Sequence, residues 1–151
     1  MKTKKIHKGK ILEVIKHLKE KGYKITPQRK AIIDIIINNR DHPSTSEIIR
    51  LARSIYPNIS VSTVYYTIAL LKREGLIREI EFYDKDNRYD TNLNHHINLI
   101  CESCGKIIDF DNPLPISIDD IFEKFGFKTV QTRYEYYGYC KTCLSKSRRA
   151  E

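Results

Sequence analysis

The stretch SVSTVYYTIALLKREGLIREIEFY, residues 60–83, places a helix directly before a β-hairpin. A serine at residue 60 or 62 begins the helix and Gly75 follows its end, because serine is a preferred N-cap and glycine a preferred residue after the last turn. Residues 76–83 alternate and are rich in β-formers, which predicts a strand that returns over Arg88–Asp90. The inward face of the helix is predicted to comprise Val61, Val64, Ile68 and Leu71.

Three amphipathic stretches precede this segment. Residues 8–21 have helical spacing, Thr26 with Pro27 starts a second helix that fades near Asn38, and Ser44 starts a third. A few short helices followed by a hairpin is the order of a winged helix-turn-helix domain. The inward faces of the second and third helices are predicted to include Ala31, Ile32, Ile35, Ile36, Ile48, Ile49, Ala52 and Ile55.

The remaining sequence predicts a second, smaller domain. The polar residues 91–94 are interpreted as a hinge between a winged-helix domain at 1–90 and an α/β domain at 95–151. The overall class is therefore α+β. In the second domain the pattern predicts strands at 97–101, 106–110 and 128–139, a loop with Pro113 and Pro115, a helix near 117–125, and a mobile tail from residue 144.

The four cysteines occur in two pairs, CESC at 101–104 and CKTC at 140–143. Two thiolates at this spacing can bind one metal from a tight turn, and two such turns complete a tetrahedral sulfur site. Structural zinc held by Cys101, Cys104, Cys140 and Cys143 is favoured over two disulfides or a redox-active CxxC pair. Both pairs are predicted to end strands, whereas a thioredoxin-like pair starts a helix after a strand.

Positive charge is concentrated in the first part of the chain. Residues 1–90 carry a net charge of +8 and residues 91–151 a net charge of zero. Localised positive charge favours a polyanion partner, although a solvated basic tail gives the same count. With the winged-helix pattern it predicts double-stranded DNA binding, unless the helix at 60–74 is merely a polar surface. The predicted contacts are Ser62, Thr63, Tyr65, Tyr66, Arg29, Lys16 and Arg88.

Four segments resemble the ferric uptake regulator family. They are HPSTSEI (42–48), PNISVSTVYYTIALLKREGLI (57–77), RYD with HHINLICESCGKIIDF (88–90 and 95–110), and YGYCKTC (137–143). The resemblance covers about residues 10–145. It implies a homodimeric, metal-dependent repressor in which the first domain binds operator DNA and the domain at 95–151 dimerises.

The resemblance also implies a second, regulatory metal site at the hinge. The family's ligands map onto His42, Asp90, His96 and Asp109. Nitrogen and oxygen ligands suit Fe²⁺, Mn²⁺ or Zn²⁺. A metal shared by the two domains would fix the angle between them and so control DNA binding.

Asn98 departs from the family pattern, which usually has a second histidine at this position. Asn98 offers a weaker oxygen ligand, and His95 is expected to point to the opposite face of the strand from His96. The aspartates at 90 and 109 resemble the peroxide-responsive branch of the family more than the iron-sensing branch. Asn98 therefore leaves two regulators open, one that senses metal or peroxide and one with structural zinc only.

The sequence carries no sign of a membrane protein or of an established catalytic arrangement. No apolar run approaches the roughly 18–20 residues that span a bilayer, and the start MKTKKIHKGK lacks the features of a secretory signal. A cytoplasmic location is therefore expected. No Ser–His–Asp arrangement or phosphate loop is recognised, so the chain is predicted not to be an enzyme, with a CxxC thiol oxidoreductase as the enzymatic alternative.

Overall fold

The computed structural model describes residues 2–82, 85–111 and 117–147. Contacts between Cα atoms divide the chain into two compact units, Met1–Leu93 and Asn94–Glu151. The predicted loop at Pro113 and Pro115 and the end of the predicted tail lie outside the described residues. Within the described ranges, no helix is long and apolar enough to cross a membrane.

The first unit consists of four helices followed by a short antiparallel hairpin. Its elements are α1 Lys2–Glu20, α2 Pro27–Asn38, α3 Thr45–Ile55, α4 Val61–Arg73, β1 Arg78–Ile80 and β2 Arg88–Asp90. Polar side chains begin three of these helices as the sequence predicts. The side-chain oxygens of Thr26, Ser44 and Ser60 each accept a hydrogen bond from the backbone N–H three residues later.

One apolar core joins the four helices. It contains Leu18 of α1, Ile36 of α2, Ile48 of α3 and Leu71 of α4, all fully buried. Because neighbouring helices decide which side of each helix is covered, some inward faces differ from the predicted ones. Val61 and Ile55, predicted to face inward, are exposed. In α2, Ile32 and Ile36 are buried as predicted, but Ile33 and Ile37 are buried instead of Ala31 and Ile35. Helix α4 also buries Thr67 and Leu70.

The hairpin is shorter than predicted. Arg78 pairs with Asp90, and Ile80 with Arg88, so within residues 76–82, the described part of the predicted strand, three residues have a strand partner. Gly75 takes a positive φ of 65° after α4, and the N–H of Leu76 donates to the carbonyl of Leu71 at 2.9 Å. Residue 76 thus still belongs to the helix stop, which delays the start of the strand.

The second unit is a three-stranded sheet with two short helices. Its elements are β3 Ile97–Cys101, β4 Ile107–Phe110, α5 Ile118–Phe125, β5 Glu135–Gly138 and α6 Lys141–Ser147. The strand order is β4-β3-β5, with β3 antiparallel to β4 and parallel to β5. The central strand therefore places the first cysteine pair, at its end, beside the segment that leads to the second pair.

Two predictions for this unit are wrong in extent. The strand predicted at 128–139 is confined to Glu135–Gly138, because β3 offers parallel partners only from Asn98 to Cys101. The tail from residue 144 is helical up to Ser147, since α6 begins directly after Cys140 and the N–H of Leu144 donates to the carbonyl of Cys140 at 3.0 Å. The tail was predicted to be mobile because it lacks an apolar pattern, but this short helix is held at its start by Cys140 rather than by a buried apolar face.

We expect Leu18→Ala to lower the free energy of unfolding of the first unit by about 3 kcal/mol, because truncating a fully buried leucine leaves a cavity. Leu18 is 0% exposed, whereas Leu12 on the same helix is 65% exposed. The matched change Leu12→Ala should cost less than about 0.5 kcal/mol. Urea unfolding of both variants checks this, and equal losses would show that α1 does not contribute to the core as described.

Candidate metal centres and nucleic-acid interface

The four cysteines converge on one point of the second unit. Their sulfur atoms all lie within 4.8 Å of one another, and Cys104 Sγ is 3.8 Å from Cys140 Sγ. In a tetrahedral site with zinc–sulfur bonds near 2.3 Å, the sulfurs are about 3.8 Å apart. All four are free thiols in the structure. The chemistry and the spacing of the donors fit a structural zinc ion.

Backbone hydrogen bonds hold the two CxxC turns together. The N–H of Gly105, whose φ is 72°, donates to the carbonyl of Cys101 at 2.8 Å and closes the first turn. The N–H of Glu102 donates to the carbonyl of Gly138 at 2.8 Å, and the N–H of Cys140 donates to Cys101 Sγ at 3.2 Å. The parallel pairing of β3 with β5 therefore brings the second pair to the first.

These contacts divide the thiols by acidity. Hydrogen bonds from the backbone N–H of Cys104 and then of Cys140 lower the pKa of Cys101 to about 6. For Cys143, a hydrogen bond with Ser103 lowers the pKa, but the neighbouring Cys140 and burial outweigh it and raise the pKa to about 11. Four adjacent thiolates repel one another, so full ionisation requires a cation among them.

The second cysteine pair differs from the prediction in one respect. Cys140 follows β5 and directly precedes α6, so this pair does lie at the start of a helix after a strand. That is one part of the thioredoxin-like arrangement. However, its sulfurs face those of Cys101 and Cys104 within 4.8 Å, which is the arrangement of a shared metal rather than of an isolated redox pair.

In the first unit, His42 and Asp90 form a buried pair. His42 Nε2 lies 3.7 Å from Asp90 Oδ1, and both side chains are at most 5% exposed. His42 has a φ of 52°, the one positive value found for a non-glycine residue in the described chain. Such a backbone costs free energy and is found most often where a side chain has a functional position.

The loop before α3 places these two residues beside each other. Arg88 Nη1 donates to the carbonyl of His42 at 3.3 Å, and the N–H of Tyr89 donates to the carbonyl of Pro43 at 3.1 Å. Thr45 Oγ1 and the Tyr89 hydroxyl are 2.9 Å apart in a buried hydrogen bond. Strand β2 is thus paired to β1 on one edge and tied to the loop on the other.

In the second unit, His96 lies beside two side-chain oxygen atoms that could share a metal with it. The carbonyl of Asn94 lies 2.8 Å from His96 Nδ1, and because a carbonyl only accepts, Nδ1 carries the proton. In the neutral ring, Nε2 then has a lone pair; it lies 3.2 Å from Asn98 Oδ1 and 3.9 Å from Asp109 Oδ1. Three acceptors around one point, the Nε2 lone pair and two oxygens, suit a shared metal cation.

Burial distinguishes the two histidines that directly precede β3. His96 is 6% exposed, whereas His95 is exposed and lies 3.4 Å from Thr132 Oγ1 through Nδ1. The two side chains therefore have different surroundings, His96 beside Asn98 and His95 beside Thr132. Asn98 and Asp109 face each other in the register of β3 and β4, which explains why they share the side of the sheet that His96 occupies.

Sequence reasoning missed the residues that hold these candidate ligands in place. The carbonyl of Asn94 fixes the His96 ring, and Arg88, predicted as a DNA contact, bonds the carbonyl of His42. The N–H of Asn92 donates to Asp90 Oδ1 at 2.7 Å. The asparagines at 92 and 94, each two residues from a ligand, were the available signal, because asparagine favours such local turns.

Four of the seven predicted DNA-binding residues, Lys16, Ser62, Tyr65 and Tyr66, are exposed on the first unit, and Arg29, Thr63 and Arg88 are half-buried. Tyr65 and Tyr66 are 54% and 52% exposed, and Ser62 is also exposed. Thr63 is half-buried with its hydroxyl 2.7 Å from Ser60 Oγ. Lys16 on α1 is exposed and lies 3.8 Å from Glu20. Hydroxyl groups and aromatic rings at the start of a helix are suited to base edges and phosphates.

Comparison with known proteins agrees with the family resemblance seen in the sequence. A model of the ferric uptake regulator family matches residues 20–137. The chain is 37% identical over 135 residues to the peroxide operon regulator of Bacillus subtilis, covering 89% of this chain and 93% of that protein. It is 38% identical over 135 residues to the peroxide-responsive repressor PerR of Staphylococcus aureus, covering 89% and 91%.

A solved structure supports the fold along nearly the whole chain. The ferric uptake regulator Fur of Helicobacter pylori, whose structure reveals three functional metal binding sites, matches with a TM-score of 0.74 at 26% identity. The match covers 91% of this chain and 93% of that one. The family model, the relatives and the solved structure all match across both units of the chain. This chain therefore belongs to the ferric uptake regulator family.

Proposed function

We propose that this chain is a homodimeric transcriptional repressor that binds operator DNA when a divalent metal occupies a regulatory site built from both units. The observation that carries the proposal is the pair of incomplete ligand sets. The first unit supplies His42 and Asp90, buried and 3.7 Å apart. The second supplies His96, Asn98 and Asp109 around one imidazole lone pair. Each set alone offers too few ligands for a saturated divalent site.

Chain connectivity supports one shared site. Asp90 and His96 are six positions apart in the sequence, so even a fully extended chain separates them by at most about 20 Å. A metal that takes ligands from both sides of this segment would restrict the motion of the two units. If the bound metal favours one arrangement of the units, it shifts the population towards that arrangement. DNA that binds the same arrangement then binds more tightly, by a factor equal to the coupling between metal and DNA binding.

An apolar face of the second unit supports the homodimer. On one side of the sheet, cross-strand neighbours leave large apolar side chains exposed; these are Leu99, Ile108, Phe110 and Tyr136. A contiguous exposed apolar patch on a small protein marks an association surface. A second copy of the chain would bury it, and two recognition helices would then read two half-sites.

The ligand types support Fe²⁺, Mn²⁺ or Zn²⁺ in the regulatory site, and the relatives named above favour a role in peroxide stress or metal homeostasis. Asn98 favours a second candidate, a DNA-binding regulator whose only metal is structural zinc. An amide oxygen is a weaker ligand than imidazole, so the regulatory site would bind its metal less tightly.

Selection from a randomised duplex library, using protein loaded with zinc and Mn²⁺, provides a DNA probe for both candidates. We expect the selected duplex to lose at least roughly 100-fold in affinity when EDTA removes the Mn²⁺ while one zinc per chain is retained, a coupling of about 3 kcal/mol. Fluorescence anisotropy measures the affinity, and mass spectrometry counts the zinc. Unchanged affinity would favour the zinc-only regulator, and absence of any enriched sequence would contradict both.

A further inference from the structure

Helix α4, the recognition helix of the proposed DNA-binding unit, has no cationic side chain near its N-terminus, the end that would contact base edges. Its sequence, VSTVYYTIALLKR, has basic residues only in the last turn, at Lys72 and Arg73. Both are engaged there: Lys72 pairs with Glu79, and the Arg73 guanidinium lies 5.4 Å from the centre of the Tyr23 ring. The N-terminal part of such a helix is the part that contacts base edges. Any guanidinium at that end must come from another element.

Arg29 of α2 supplies one. Its guanidinium carbon lies 4.9 Å from the centre of the Tyr66 ring, within the range of a cation–π contact. Tyr66 is 52% exposed, so the stacked group lies on the surface that α4 presents to solvent. Helix α2 packs against α4, which keeps the two side chains in register.

Two further contacts fix the arginine from its own helix. Its backbone N–H donates to Thr26 Oγ1 at 3.2 Å, and Nη1 donates to the carbonyl of Lys24. Nε is buried and has no acceptor among the described residues. The ring on one face and the carbonyl at Nη1 therefore hold the guanidinium in a single orientation, which reduces the entropy lost when it binds a planar acceptor pair.

We propose that Arg29 reads a guanine and that Tyr66 is the positioning residue that holds it in place, an inference that rests on the DNA-binding function proposed above. With Nε buried and one N–H of Nη1 bonded to Lys24, Nη2 and the second N–H of Nη1 remain to donate to the two acceptors on the major-groove edge of guanine, O6 and N7. Tyr66 acts through its ring rather than its hydroxyl. Arg29 from α2 and Tyr66 from α4 thus form one base-recognition site.

The test compares sequence preferences of the metal-loaded protein and its variants on the same randomised duplex library. The wild-type protein should prefer G·C at one position of each half-site. Arg29→Ala and Arg29→Lys should each reduce that preference by roughly 10- to 100-fold, with Arg29→Lys retaining general affinity because it keeps the charge. Tyr66→Leu should weaken the preference at the same position by roughly 2- to 5-fold, and Tyr66→Phe should leave it unchanged.

A double variant measures the coupling directly. Adding Tyr66→Leu to Arg29→Ala should produce no further loss, because the ring would have nothing left to position. The proposal is overturned if Tyr66→Phe behaves as Tyr66→Leu, which would assign the reading to the hydroxyl. It is equally overturned if Arg29→Ala weakens all sequences alike, which is the behaviour of a phosphate contact. If the wild-type protein enriches no sequence, the proposed DNA-binding function itself has failed.

Discussion

Replacing Cys140 with serine is expected to remove the zinc ion and unfold the unit Asn94–Glu151. The sulfur of Cys140 lies 3.8 Å from that of Cys104, and its backbone N–H donates to Cys101 Sγ. Few of the described side chains of this unit are buried, so metal binding is expected to supply much of its folding free energy, on the order of 10 kcal/mol for small zinc sites. Zinc stoichiometry and thermal unfolding of the variant measure the loss.

Thr142→Ser is the matched control. Residue 142 lies between the same two cysteines and is exposed, and the change keeps all four sulfurs. This control should retain one zinc per chain and the wild-type unfolding temperature. A Cys140→Ser protein that contains no zinc, and yet unfolds cooperatively at the temperature of the control, would refute the structural role of the site.

The zinc site could be predicted from sequence because its geometry is almost entirely local. A CxxC turn presents both sulfurs to the same side whatever surrounds it, so only the meeting of the two turns depends on the fold. The start of α6 could not be predicted in this way. It depends on the position of Cys140 beside Cys101, which pairing of β3 with β5 determines.

Helix positions followed from local signals, whereas the buried faces depended on packing. Ser44 and Ser60 are caps whose partners lie three residues away, so the helix starts were predictable. Val61 has the same periodicity as Val64 but lies in the first turn, beyond the end of the core, and is exposed. Periodicity identifies a stripe along a helix and does not show where the neighbouring helices end.

The regulatory ligands show a different limit. The resemblance to the family named His42, Asp90, His96 and Asp109, but the residues alone did not distinguish ligands from turn formers and salt-bridge partners. The distance between His42 and Asp90 results from the pairing of β2 with the loop at residues 43–44, a contact between segments more than 40 residues apart. Such long-range register is not encoded by any local pattern.

Asp90→Asn is expected to abolish metal-dependent DNA binding while leaving the fold and the structural zinc intact. The asparagine side chain can still accept the hydrogen bond from the N–H of Asn92, which now goes to Asp90 Oδ1 at 2.7 Å. It has no negative charge, however, and a neutral oxygen beside His42 is a poorer ligand for a divalent cation. We expect Mn²⁺ affinity to fall by roughly 100-fold or more, beyond the 10- to 100-fold typical of residues that only support a ligand.

Calorimetric titration with Mn²⁺ and anisotropy of the selected duplex measure the two losses on the same preparation. Asp41→Asn is the matched control, because Asp41 adjoins His42 in sequence and is exposed, so it loses the same charge outside the buried pair. If both affinities fall together in Asp90→Asn and neither falls in Asp41→Asn, the buried carboxylate couples metal to DNA. If Asp90→Asn loses Mn²⁺ but binds the duplex as tightly as before, metal and DNA binding are independent, and the regulator is one that carries structural zinc alone.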